Sequence, residues 1–127
     1  MQQKVHTKDA PEAIGPYSQA VVCGGMVYTS GQIALSNVTG AVVEGDITAQ
    51  AAQVLDNLKA VLEAAGSGLD CVVKTTCFLA DMADFQAFNA LYGVYFPNKP
   101  ARSCVAVRKL PRSVLVEVEA IAEVPAK

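Results

Sequence analysis

Apolar residues recur with two different periods along the chain, and the two periods predict an α+β domain. Near the N-terminus, strand-like runs at Ala20–Cys23 and Met26–Ser30 flank a Gly24-Gly25 pair, which is typical of a tight β-hairpin. A weaker strand is expected at Lys4–Thr7. This part of the chain is therefore predicted to be all β.

The middle of the chain changes to a helical period. Apolar residues at spacings of three and four predict a helix over Ile47–Ala65, with Asp46 as its N-cap and Gly66 at its end. A second helix is expected after Asp81 or Asp84. The apolar positions of this second helix, which are more typical of core packing than of a cofactor site, are Phe85, Phe88, Leu91, Tyr92 and Tyr95.

Three further segments return to a period of two and are predicted strands: Asp70–Ala80, Arg102–Arg108 and Ser113–Glu123. The order β-β-β-α-β-α-β-β predicts a mixed sheet with both helices on one face, in a single domain over residues 1–127. One face of the first of these strands is expected to carry Cys71, Val73, Cys77 and Leu79.

The last two strands are joined by the short loop Lys109–Arg112, so we expect them to form a hairpin. This pairing sets Arg102 opposite Glu119 and Cys104 opposite Glu117, on a face that the helices leave open. The other face of the final strand is expected to lie under the helices and consists of Val114, Val116, Val118, Ala120 and Ala122.

The pattern leaves two interpretations of this open face. Arg102 and Glu119 could form an exposed ion pair, worth under about 1 kcal/mol. Alternatively, the planar guanidinium could bind a carboxylate in a cleft while a nearby glutamate handles protons or a water molecule.

Composition adds an expectation about assembly and narrows the class of protein. Apolar residues make up 52% of the 127 and charged residues only 17%, where ordinary domains carry about 25%. The surplus of apolar surface predicts a homo-oligomer. The net charge of −2 argues against specific nucleic-acid binding, and no apolar run is long enough for a membrane span. No export signal is visible, so a cytoplasmic protein is expected.

Histidine and cysteine usage restricts the available chemistry. His6 is the only histidine, and the four cysteines form no C-x-x-C pair. We therefore expect no metal site and no Ser-His-Asp or Cys-His catalytic unit. Any reaction must use carboxylates, arginine, tyrosine, a thiol or the backbone.

Several stretches of the chain resemble the reactive intermediate deaminase family (RidA, also called YjgF). The most specific is Pro100-Ala101-Arg102-Ser103-Cys104-Val105, followed on the next strand by Glu117. The other matching stretches are Ile14–Ala20, Thr29–Ile33, Gly45–Ile47 leading into Gln50, Leu55 and Asn57-Leu58, then Phe88–Ala90, Leu110-Pro111 and Val116–Ala120.

The resemblance implies a chorismate-mutase-like fold that forms a homotrimer with ligand clefts between subunits. It also implies an enzyme that hydrolyses C=N bonds, a 2-iminobutanoate/2-iminopropanoate deaminase. Such an enzyme converts reactive 2-imino or enamine acids to 2-keto acids and ammonia without a metal or an organic cofactor.

The same resemblance assigns roles to particular residues. Arg102 would bind the substrate carboxylate, Glu117 would position the attacking water or relay a proton, and Gly31 would offer a backbone donor. Cys104 is expected to be a pocket wall rather than a nucleophile, because no histidine stands ready to activate it. The residues expected to line the cleft are Tyr17, Ser30, Asn89 and Cys104.

Other functions occur on the same family fold and remain open at this point. They are a small-carboxylate-binding module, a chaperone-like protein, and a translation inhibitor with ribonucleolytic activity. A cleft containing Arg102 would bind small carboxylates with or without turnover, whereas the presence of Glu117 in the same motif favours an enzyme.

Overall fold

The computed structural model describes residues 1–126 as one six-stranded sheet with two helices. The predicted order of elements is confirmed. The strands lie in the order β1-β2-β3-β6-β4-β5, and only the β4–β5 pair is parallel. The elements are β1 Gln3–Val5, β2 Ala20–Cys23, β3 Met26–Thr29, α1 Ile47–Ala64, β4 Val72–Leu79, α2 Phe85–Tyr95, β5 Ala101–Ala106 and β6 Val116–Glu123.

Local sequence signals account for the hairpin and the first helix. Gly24 and Gly25 both adopt positive φ angles, +61° and +77°, as a two-residue turn between twisted strands requires. The Asp46 side chain caps α1 by accepting a hydrogen bond of 3.1 Å from the Ala49 backbone N–H. Both features agree with the sequence analysis.

The helices cover one face of the sheet, and the core lies between these layers. The buried residues of β6 are Val116, Val118, Ala120 and Ala122, as the alternation predicts. Helix α1 contributes side chains with no solvent exposure, namely Val54, Leu55, Leu58, Val61 and Leu62. Within residues 1–126, neither helix has the length and apolar character needed to cross a membrane.

Strand β4 departs from the predicted alternation. A β-bulge between Val72 and Lys74 shifts its register against β6. The prediction that Val73 shares a face with Cys77 and Leu79 is therefore wrong, because those two are buried and Val73 is 44% exposed. Such a bulge changes which side chains face the core. The buried residues of β4 are Val72, Thr75, Cys77 and Leu79.

The predicted hairpin between the last two strands is also wrong, because β4 lies between β5 and β6. The connection passes over the end of β4, where the Val107 N–H binds the Leu79 carbonyl and the Ala80 N–H binds that of Leu115. Strand β4 buries Thr75, Cys77 and Leu79 on its helix face and keeps Phe78 half-buried on the other face, which suits a central position. The side chains of β5 are half-buried or exposed, as befits the edge of the sheet.

This strand order changes which faces the two charged residues occupy. Arg102 aligns with Thr75, which aligns with the buried Ala120 on the helix face. Glu117 aligns with Phe78 on the open face. The prediction that Arg102, Cys104 and Glu117 share the open face is therefore wrong, and so is the cross-strand ion pair between Arg102 and Glu119.

Candidate active site

The open side of the sheet carries a pocket of about 360 Å³ beside the ends of β3 and β6. It is lined by Glu12, Tyr17, Ser30, Gly31 and Glu117, together with several apolar residues. Among the described residues 1–126, this lining includes two carboxylates and no lysine or arginine. We call it the acidic pocket.

Glu117 lies directly against Gly31. A Cβ atom at Gly31 would collide with Oε2 of Glu117 and would lie only 2.8 Å from its Cδ, so only glycine leaves room for the carboxylate here. Burial, and then the nearby Glu119 charge, raise the pKa of Glu117 above its ordinary value. A carboxyl group with a raised pKa is suited to exchanging protons near neutral pH.

The backbone at Gly31 offers a hydrogen-bond donor beside that carboxylate. The flanking N–H groups are occupied, that of Ser30 by the Gln19 carbonyl and that of Gln32 by the Val118 carbonyl, both at 2.9 Å. Within residues 1–126, the Gly31 N–H has no such acceptor. The arrangement agrees with the backbone donor expected at this position.

A buried glutamine holds the wall of the acidic pocket. The Gln19 side chain accepts a hydrogen bond of 2.7 Å from the Thr7 N–H and donates to the carbonyls of Thr7 and Pro11 at 3.1 and 2.8 Å. The Ser30 hydroxyl donates to the Ser18 carbonyl at 2.6 Å. These bonds fix the loop that carries Glu12 and Tyr17.

The apolar floor of the acidic pocket is held from α1. The Asn57 side chain, 1% exposed, donates to the carbonyls of Ile33 and Leu35 at 3.1 and 3.0 Å. No role was predicted for Gln19 or Asn57 from the sequence. For Asn57 a signal exists, because the amides of Gln50 and Asn57 interrupt the apolar stripe of α1.

A second pocket, of about 400 Å³, lies between α2 and the start of β5. Asn89, Tyr92, Gly93, Lys99 and Arg102 line it, and in the described part of the chain its lining contains no carboxylate. We call it the basic pocket.

Arg102 is held in the basic pocket by stacking and by one hydrogen bond. Its Cζ lies 4.8 Å from the ring centroid of Tyr92 and 5.5 Å from that of Phe85. Its Nη1 donates to Asn89 Oδ1 at 2.6 Å. The Tyr92 hydroxyl is itself 2.7 Å from Thr75 Oγ1, so the ring beneath the guanidinium is fixed. The remaining guanidinium N–H groups are suited to binding a carboxylate.

Cys104 lies beside this assembly on the helix face, aligned with Cys77. It belongs to the lining of neither pocket. Burial raises the pKa of its thiol, and the Arg102 charge offsets this only in part, so the reactive thiolate form is disfavoured. This environment fits a packing role better than a nucleophilic one.

The predicted site residues therefore fall into two groups within one chain. Tyr17, Ser30, Gly31 and Glu117 meet in the acidic pocket, whereas Asn89 and Arg102 meet in the basic pocket. The two groups lie on opposite faces of the sheet, so a single copy does not combine the cation with the proton-handling carboxylate.

The described part of the chain does not bring metal-binding side chains together. Within residues 1–126, no group of three or more His, Cys, Asp or Glu side chains is placed to hold one. The expectation of a reaction without a cofactor stays a prediction.

Comparison with known proteins places this geometry in context. The sequence profile of the family described as endoribonuclease L-PSP matches residues 7–124. A 2-iminobutanoate/2-iminopropanoate deaminase of Salmonella typhimurium is 51% identical over 126 residues, 96% of this chain and 98% of the relative. Relatives of similar identity are named only as RutC family proteins.

Solved structures share the whole fold. The YjgF gene product of Escherichia coli superimposes with a TM-score of 0.91 at 48% identity, covering 95% of this chain and 98% of that one. Escherichia coli TdcF, whose structure contains bound serine, gives a TM-score of 0.91 at 42% identity with the same coverage.

Proposed function

Because the chain belongs to the endoribonuclease L-PSP family, which includes the RidA and YjgF proteins, we propose that it hydrolyses 2-imino acids to 2-keto acids and ammonia. The observation that carries the proposal is the mounting of Arg102. Its guanidinium lies over the ring of Tyr92 and donates one hydrogen bond to Asn89, which leaves donors for a substrate carboxylate.

The proposed reaction requires little of the protein. Arg102 binds the carboxylate, and water adds to C2 of the imine to give a carbinolamine. Glu117 takes a proton from that water and delivers it to the imine nitrogen, which becomes an amino group. Glu117 then takes the hydroxyl proton of the carbinolamine and delivers it to the amino nitrogen, so that the C–N bond breaks, ammonia leaves and the C=O bond forms. The raised pKa of Glu117 suits both halves of this proton transfer.

The names and ligands of relatives support this substrate class. The Salmonella typhimurium relative is named for 2-iminobutanoate and 2-iminopropanoate, and the Escherichia coli relative of the same name is 49% identical. The structure of TdcF contains bound serine. Serine carries a carboxylate, the group that we propose Arg102 binds in this chain.

We further propose that the protein is a homotrimer whose site forms where the acidic pocket of one copy meets the basic pocket of the next. The separation of the two pockets supports this, as do exposed apolar side chains on the open face of the sheet, with Tyr28 and Val105 46% and 47% exposed. Light scattering should give about 40 kDa, three times the chain mass of 13.3 kDa. A 13 kDa species at micromolar concentration would contradict it.

The experiment that tests the activity generates the substrate in place. A pyridoxal-phosphate dehydratase acting on serine or threonine would supply the imine, and keto-acid formation would be timed with and without this protein. We expect faster release with the wild type and much slower release with Arg102→Ala or Glu117→Gln, with Arg108→Ala as a control on the same segment. Full rates in both site variants, as folded trimers, would overturn the site assignment.

The same assay separates an enzyme from a protein that only binds. Glu117→Gln keeps the shape of the side chain and removes its proton transfer, so keto-acid binding should persist while turnover falls by about 10²-fold. A wild type that binds the keto acid without accelerating hydrolysis would be a small-carboxylate-binding module.

A further inference from the structure

Glu12 is a charged residue of the acidic pocket to which the proposed reaction assigns no role. It lines the pocket with Tyr17 and Glu117. Its carboxylate receives a hydrogen bond from Nε2 of His6, at 2.9 Å to Oε2. Both side chains remain about three-fifths exposed, 59% for His6 and 60% for Glu12, so Glu12 lies at the solvent-facing edge of the pocket.

The backbone around Glu12 is fixed. The Gln19 side chain binds Thr7 on one side and Pro11, the residue before Glu12, on the other. Ala10 between them is 2% exposed. The backbone of the segment is anchored at these points, and the His6 contact holds the Glu12 carboxylate at the edge of the pocket.

The charges of the two pockets then orient the substrate. If Arg102 binds the carboxylate next to the imine, the substrate side chain is directed toward the acidic pocket of the neighbouring copy. The carboxylates of Glu12 and Glu117 lie there, beside apolar surface from Ile33 and Leu35. A second negative charge on the substrate would meet like charges, and like charges repel.

We propose that Glu12 is a specificity-determining residue that disfavours 2-imino acids with a side-chain carboxylate, so that the enzyme acts on those with neutral side chains. This inference rests on the proposed deaminase function. Glu12 takes no part in the proton transfer, which belongs to Glu117. Its effect is a difference between substrates, which a merely structural role would not produce.

The test compares two substrates of similar length and different charge. Amino acid oxidases, with catalase present, would generate the imines of methionine and glutamate, and kcat/KM would be measured for each with the wild type and with Glu12→Gln. The variant keeps the side-chain shape and removes the charge. We expect the glutamate-to-methionine ratio of kcat/KM to rise about threefold in Glu12→Gln at low salt.

Two controls identify the cause. Asp9→Asn removes the same charge from an exposed residue of the same loop that is not in the pocket lining, and it should leave the ratio unchanged. About 0.5 M salt should reduce the difference between wild type and Glu12→Gln, because salt screens exposed charges. A ratio that is equal in wild type and Glu12→Gln, or shifted equally by Asp9→Asn, would overturn the inference.

Failure of the inference about Glu12 can be distinguished from failure of the deaminase proposal. If the wild type hydrolyses the methionine imine and the ratio does not respond to Glu12→Gln, only the inference about Glu12 falls. If the wild type hydrolyses neither of these imines nor the imine generated by the dehydratase, the deaminase proposal falls, and binding of the two keto acids then decides. Equal effects of Glu12→Gln on the two affinities would overturn the role of Glu12, and a selective gain for 2-oxoglutarate would support it as ligand selectivity.

Discussion

The acidic pocket and the basic pocket hold their charged groups by different means. In the basic pocket, Arg102 is fixed by its own side-chain contacts, namely the ring of Tyr92 and the amide of Asn89. In the acidic pocket, the carboxyl group of Glu117 lies against the backbone at Gly31, in space that a Cβ atom at that position would occupy. Amide side chains distant in sequence hold that backbone.

The difference corresponds to two chemical tasks. A cation that binds a carboxylate needs fixed geometry, which stacking and a hydrogen bond provide. A carboxyl group that exchanges protons needs partial burial, which raises its pKa. On our proposal, each pocket performs one of these tasks and the reaction requires two copies of the chain.

The largest expected effect is the recovery of activity when two inactive variants are combined. It tests whether the two pockets act in different copies of the chain. Arg102→Ala retains an intact acidic pocket and Glu117→Gln an intact basic pocket. If the site joins the two pockets across copies, co-refolding the variants in equal amounts should restore about one quarter of wild-type activity. That is the fraction of interfaces that pair two intact halves in a randomly assembled ring.

A matched control keeps that experiment interpretable. The two variants, each assembled separately and then mixed without unfolding, should show only the sum of their residual activities. Recovery no greater than that sum after co-refolding, with trimers confirmed by light scattering, would mean that both groups act within one copy or that the site is elsewhere.

Features that depend on neighbouring residues could be predicted from the sequence, whereas the placement of the two pockets on opposite faces of the sheet could not. The order of elements, the hairpin and the Asp46 cap follow from local signals and are confirmed. The alternation of β6 correctly gives its buried face. These features depend on residues close to one another in the chain.

The position of β4 between β5 and β6 depends on pairing between distant segments, which alternation does not encode. Period two tells which residues of one strand share a face, but not which strand lies beside it. Arg102 was therefore assigned to the open face when it lies against α2. The bulge at Val72 and Lys74 had the same effect on Val73.

The acidic pocket should be more sensitive than the basic pocket to the loss of a buried amide side chain such as that of Gln19. Gln19→Leu removes the bonds to Thr7 and Pro11 and leaves polar backbone groups without partners. We expect the free energy of unfolding to fall by about 2–3 kcal/mol and turnover to fall with it, because the wall carrying Tyr17 loosens. Chemical denaturation at fixed protein concentration would measure this, with the exposed Gln86→Leu as control. A loss no larger than that of the control would contradict the role of Gln19.

The basic pocket should be more sensitive than the acidic pocket to a change in the shape of its charged side chain. Arg102→Lys retains the charge and loses the planar group that stacks on Tyr92 and binds a carboxylate at two points. We expect kcat/KM to fall by about tenfold, because the substrate carboxylate is held less well, and the affinity for the keto acid, which has the same carboxylate, should fall too. Arg108→Lys, at an exposed position beyond β5, controls for the substitution itself. An unchanged keto-acid affinity in Arg102→Lys would mean that a point charge suffices.

The smallest expected effect concerns the cost of holding Glu117 in the acidic pocket. Burial and the Glu119 charge raise the pKa of Glu117 in the folded protein, so its protonated form favours folding. This contribution is fully present below the unfolded pKa and is lost as the pH rises through the folded pKa. Glu117→Gln does not titrate, so its stability relative to wild type should increase as the pH rises from the ordinary glutamate pKa through the raised pKa of the folded protein, by less than about 1 kcal/mol. Thermal or chemical unfolding across that range would measure the difference, with Glu123→Gln on the same strand controlling for loss of a surface charge. A gain that is absent, or no larger than that of the control, would mean that the assembled protein stabilises the ionised carboxylate, as a nearby cation from the basic pocket of the next copy would do.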